Sequence, residues 1–87
     1  MTGIIKFGTI ILVKDEEASQ PQMEQYRAEV ADLHIRVQID RTMRPPYYEV
    51  FREWKEGSRL MNERIFATST FSRLEDFFNI ENPKLRQ

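Results

Sequence analysis

Eighty-seven residues, 40% of them hydrophobic and 11% aromatic, form a chain of single-domain size that lies outside the composition range of disordered proteins. The absence of cysteine excludes disulfides, thiolate nucleophiles and cysteine-ligated zinc. The formal net charge is only −1 and hides an asymmetry. From Asp15 to Asp32 six acids face one base, whereas from Leu33 to Arg73 eight bases face five acids, which implies one acidic and one mildly basic surface.

The N-terminal stretch has no basic segment of the kind that opens a secretory leader, and its apolar run is broken by Lys6 and Gly8. No segment approaches the roughly 18 apolar residues of a membrane span, so the expectation is a cytoplasmic protein that does not enter membranes. Gly3 to Lys14 reads as one strand. Phe7, Thr9, Ile11 and Val13 share a face, while Ile10 and Leu12 share the other. A strand apolar on both faces belongs inside a sheet, under a helix or in a homodimer contact. Gly8 suggests a bulge or a close backbone approach.

Ser19, Gln20 and Pro21 resemble a helix start, and Met23, Tyr26, Val30 and Leu33 follow at helical spacing, which predicts a helix over 20–32. His34 to Asp40 alternates strictly, with Ile35, Val37 and Ile39 inward, and predicts a strand. Arg41 to Pro46 is a loop, because consecutive prolines cannot donate to a sheet ladder. Tyr47 to Trp54 is rich in residues that suit a pleated surface, with Tyr48, Val50 and Trp54 on one face. After a turn at 55–58, residues 59–70 read as the returning strand of a hairpin, although Met61, Ile65 and Thr68 would also fit a short helix. Ser72 and Glu75 match a capping box for a final helix with Leu74, Phe77 and Phe78 on its apolar side. Residues 84–87 form a polar tail expected to fray.

The expected fold is therefore α+β, a single domain over 1–87. It comprises a small three- or four-stranded, mostly antiparallel sheet with helices on one face, in the order β-α-β-β-β-α. The first strand and 34–40 would pair in parallel by a right-handed crossover. The expected core comprises Ile5, Phe7, Ile11, Val13, Met23, Tyr26, Val30, Leu33, Ile35, Val37, Ile39, Val50, Trp54, Phe66, Leu74, Phe77 and Phe78. In element order, residues 47–78 resemble the DNA-binding arm domains of tyrosine-type integrases, and the whole order is similar to that of ribosome hibernation factors. Neither resemblance extends to matching residues.

No catalytic constellation is legible. A lone histidine, His34, points away from the apolar side of its strand, and no serine or threonine stands in a nucleophile motif. Asp15, Glu16 and Glu17 lack the alternating spacing of a calcium loop, and three scattered glycines make no phosphate cradle. No metal, cofactor or enzymatic activity is expected. Two readings remain. Arg41, Arg44, Arg52, Lys55, Arg59 and Arg64 lie among aromatic residues, as in nucleic-acid-binding surfaces, but Glu49 and Glu53 interrupt the aromatic face and the sequence pI is about 5.8.

The favoured reading is a small protein-binding domain, an adaptor or an inhibitor of the size that phages and mobile elements encode against host factors. Arg41, Met43, Arg44 and Tyr47 place interface-type side chains on a proline-stiffened loop, though Met43 and Tyr47 would equally serve to close the core. The acidic segment carrying Asp15, Glu16, Glu17 and Glu24 is the second candidate surface.

Overall fold

The computed structural model describes residues 3–30 and 32–79. The tail at 84–87 lies outside them. The chain runs as β1 (Ile4–Phe7), β2 (Ile10–Lys14), β3 (Met23–Val30), β4 (Leu33–Asp40), β5 (Tyr47–Glu56), β6 (Arg59–Thr68) and α1 (Phe71–Asn79). All six strands pair with their sequence neighbours, antiparallel throughout, in the order β1-β2-β3-β4-β5-β6. The protein is mostly β, with one short helix among the described residues. This overturns the α+β fold, the β-α-β-β-β-α order, the parallel crossover and the pair of helices on one face. The likeness to hibernation factors, which rested on that order, goes with them.

Two local misreadings account for the difference. The first is at Gly8. Its φ of 62° lies in the left-handed region that glycine enters without steric cost, and the chain reverses there instead of bulging. Phe7 pairs with Ile10 across a two-residue turn, so one expected strand is a hairpin. The reversal also exchanges the faces. Ile10 and Leu12 join Ile5 and Phe7 in the core, while Ile11 and Val13, both expected to be buried, stay 47% and 43% exposed.

The second is the predicted helix over 20–32, which is β3. Tyr26, Ala28 and Val30 alternate inward, and Gln25, Arg27 and Glu29 outward. Tyr26 and Val30 fit both periods, and Ala28, a strong helix former, gives no local sign of a strand. Pairing decides the outcome. Met23 to Val30 matches Asp40 to Leu33 at eight consecutive positions, and each cross-strand contact adds stability that an isolated three-turn helix would lack. By contrast, residues 59–70 do return as a strand, β6, with a register shift opposite Val50 and Phe51.

The core lies between the sheet and α1. Phe7, Leu12, Ile35, Val37, Ile39, Val50, Leu74 and Phe78 are almost wholly buried, with Tyr48 and Ala28 close behind. Of the remaining expected core, Ile5, Leu33 and Phe66 are half-buried and pack against it, whereas Met23 and Trp54 are half-buried and stand outside it. The helix starts one residue before the expected capping box. The Thr70 carbonyl accepts from the amides of Arg73 and Leu74, which puts Ser72 inside the first turn. Leu74, Phe77 and Phe78 fall on one side at spacings of three and one. Phe78 stacks on Phe7 of β1 (centroids 5.4 Å, 14° between planes), and Phe77 stacks on Phe66 of β6 (4.5 Å, 18°). The helix thus ties the first strand to the last, with Phe71 set against Phe7 and Tyr48.

The meander sorts its connections. Residues 15–22 and 41–46 lie at one end of the sheet, and the links from β1 to β2, β3 to β4 and β5 to β6 at the other. The face opposite α1 has no layer upon it among the described residues.

Candidate functional site

Strand register sends one set of side chains to the helix-free face and links them. Gln25 Nε2 donates to Gln38 Oε1 (2.9 Å), Gln38 Nε2 to Glu49 Oε1 (3.3 Å), and Arg64 Nη1 to Glu49 Oε2 (3.0 Å). This row crosses β3 to β6. In the next row Arg27 stands opposite Arg36, a like-charge pair that would repel if left alone. Asp15 resolves it, with one carboxylate oxygen 3.5 Å from Arg27 Nε and 3.5 Å from Arg36 Nη1, and Glu53 receives Arg36 Nε at 3.1 Å. The Ala18 amide, donating to Asp15 Oδ1, holds the Asp15 carboxyl below its ordinary value, and the two arginines pull the same way against the cost of partial burial.

An open groove of about 1050 Å³ runs over this face. Ile11 and Val13 of β2 form one wall; Lys55 and Leu60, flanking the β5–β6 turn, form the other. Arg27, His34, Arg36 and Glu53 lie between. Ile4 pairs with Val13 and Lys6 with Ile11, so β1 extends the apolar wall with an Ile4 that is 53% exposed. Leu60 is 62% exposed. Trp54 is half-buried beneath the Arg52 guanidinium, 4.9 Å from its ring centre, and its indole N–H donates to Glu56. His34 contacts only Glu29 (3.4 Å) among the described acids, with both side chains largely exposed.

The two surfaces expected from sequence turn out to be neighbours. Arg41 begins the β4–β5 loop and Glu24 lies near the start of β3, yet Arg41 Nε donates to Glu24 Oε2 at 2.6 Å and Nη2 to Oε1 at 3.3 Å. The Arg41 amide also donates to the Gln22 carbonyl (2.8 Å). The guanidinium holds the Glu24 carboxyl below its ordinary value, and partial burial together with Glu24 pushes the Tyr26 hydroxyl up. Asp15 is likewise engaged internally, which leaves Glu16 and Glu17 as the exposed acids of that turn. Met43 (49% exposed), Arg44 and Pro45 project from a loop that contains a cis Arg44–Pro45 bond. Asp40 organises its start by accepting from the Thr42 amide and hydroxyl. Tyr47 is half-buried opposite Asp40, on the helix-free side. Neither Met43 nor Tyr47 closes the core.

The basic set is dispersed in the same way. Arg41, Arg52 and Arg64 are paired with Glu24, Glu63 and Glu49. Arg44, Lys55 and Arg59 have no ion pair among the described residues, and β5 separates Arg44 from the other two by about 30 Å at some 3.3 Å per residue. The wall of Ile11 and Val13 was missed because the turn at Gly8 was missed. The signal that could have found it was an unusual first segment apolar on both faces. No group of three or more histidine, cysteine or acidic side chains is placed to hold a metal among the described residues, and none of their helices is long and apolar enough to cross a membrane. Comparison with family models, curated proteins and solved structures finds no match.

Proposed function

We propose that this domain binds a protein partner through its helix-free face, as an adaptor or an inhibitor that occupies a partner's surface. The observation that carries the reading is the pairing of an open groove with apolar side chains left uncovered on its two walls, Ile11 and Val13 beside Ile4 on one side and Leu60 on the other. Exposed apolar side chains flanking a polar centre are a composition expected of a partner-binding surface. Arg36, ion-paired with Glu53 and Asp15, fixes that centre, and the adjoining row of Gln25, Gln38, Glu49 and Arg64 braces the strands beside it, which lowers the entropy lost on docking. The loop with Met43 and Arg44 is a secondary contact in this reading. Nucleic-acid binding is the weaker alternative, because three of its six expected bases are already neutralised within the fold.

The test is quantitative affinity capture from the native host with the full chain, Ile11→Asp, Val13→Asp and Arg44→Glu, each checked for folding. A partner retained by wild type and Arg44→Glu but lost by both groove variants supports the proposal. Capture that no groove variant diminishes overturns it, as does tight binding to a mixed oligonucleotide pool that collapses as salt rises.

A further inference from the structure

The sheet is open, and its two edges are unequal. β1 has four residues, whereas β6 has ten and pairs only with β5 among the described residues. A long edge strand presents a row of backbone donors and acceptors, which proteins usually protect by shortening, by covering or by charges that project as guards. Along the first half of β6, Arg59, Leu60, Asn62, Glu63 and Arg64 are exposed and Met61 is half-buried. The register shift opposite Val50 and Phe51 lies beyond this half, so Arg59 to Arg64 run in unbroken register with β5. Glu63 and Arg64 are exposed but ion-paired with Arg52 and Glu49 on β5, so their charges are partly met within the sheet.

The geometry points to β6 as a self-pairing edge, whose partner is β6 of a second copy of this chain, in antiparallel register about Met61. A two-fold axis normal to the sheet keeps each face aligned, so a residue must stand at the centre of the register. With Met61 there, Met61 meets its own copy, Leu60 stands opposite Asn62, and Arg59 stands opposite Glu63, twice by symmetry. Arg59, Met61 and Glu63 share one face, as their partners Glu56, Trp54 and Arg52 on β5 require. The Glu63 carboxylate can take the second cation. Arg52 occupies Oε1 at 3.0 Å, which leaves Oε2 for the other copy's Arg59. Centring on Glu63 would instead set carboxylate against carboxylate. Opposite charges directly across a strand pair favour this register over its neighbours. The contact uses five residues per copy, Arg59 to Glu63, a small interface, so the dimer is weak and depends on concentration. It shares only Leu60 with the groove walls and does not rest on the partner-binding reading.

Full-length chain is followed by sedimentation velocity from about 10 µM to about 1 mM, a range that spans weak association. Wild type should move from monomer to dimer. Arg59→Glu alone and Glu63→Arg alone should each weaken association by at least about tenfold, since each sets like charges opposite at both contacts. Mixing the two variants should restore association, because at both contacts an acid of the first variant then faces a base of the second. The restored heterodimer also shows that both variants fold. A wild type that stays monomeric throughout, single variants that associate as wild type does, or a mixture that stays monomeric would each overturn the proposal.

Discussion

Truncating Phe78 tests the central claim of the fold, that one nine-residue helix locks the first strand to the last. Phe78 is fully buried, stacked on Phe7 and edge-on to Phe77 at 5.4 Å. Phe78→Ala removes most of a buried aromatic side chain and leaves a cavity bounded by β1, a loss of about 3–5 kcal/mol. A domain of 87 residues has in total about 4–13 kcal/mol at typical values per residue, so from about a quarter to all of the stability is at stake. Phe71→Ala is the internal control. Phe71 also touches Phe7, at 5.6 Å, but is 44% exposed, so its loss should cost only about 1–2 kcal/mol. Urea denaturation followed by the fluorescence of the single tryptophan, Trp54, measures both. At a slope of about 1–2 kcal/mol per molar, the midpoint for Phe78→Ala should fall by at least about 1.5 M, and that for Phe71→Ala by clearly less. If the two variants lose equal stability, the helix does not close the core in the way described.

Ala28→Glu should destabilise the domain by about 3 kcal/mol or more, because it buries an uncompensated charge against Ile35. Glu29→Ala, on the opposite face of β3, should stay within about 0.5 kcal/mol in the same urea titration. A helix over 20–32 would tolerate both. Gly8→Ala and Gly57→Ala should each cost about 1–2 kcal/mol for forcing a side chain into the left-handed region. Gly8→Ala should be the worse of the two in thermal melts, since its Cβ would also stand 3.1 Å from Asn79 Oδ1 whereas nothing lies near Gly57.

The folded-state values of Glu24 and Asp15 lie below their ordinary 4.5 and 3.8, so the stability they contribute is complete above those values and is lost as pH falls below them. Arg41→Gln should therefore flatten the acid limb of a stability-against-pH curve. An unchanged slope would show that the Arg41–Glu24 pair does not persist in solution.

Strands β4, β5 and β6 were legible because short-range cues bound each of them. Ile35, Val37 and Ile39 alternate with polar residues, and the prolines at 45–46 and Gly57 mark the reversals between strands. The stripe of Leu74, Phe77 and Phe78 announced the final helix. β3 was illegible because Tyr26 and Val30, four residues apart, satisfy both a helix face and a strand face, and local propensity favoured the helix. In the candidate site, the sequence left Met43 open between an exposed contact and a core-closing role, and the fold exposes it. Asp15, Glu24 and Arg41, expected as candidate partner-binding residues, are engaged within the fold by partners distant in sequence: Asp15 with Arg27 and Arg36, and Arg41 with Glu24.

Sequence alone therefore determined what depends on residue type and short-range period: no cysteine chemistry, three of the six strands, the terminal helix and the exposed proline loop. Tertiary structure decided the rest. A two-residue reversal at Gly8 moved Ile11 and Val13 from core to groove, and hydrogen bonding to β4 made a strand of a segment whose periodicity admitted two answers. The physical reason is the same in both cases. The face on which a strand residue lies depends on the register of its neighbours, and that register is a long-range property no local window contains.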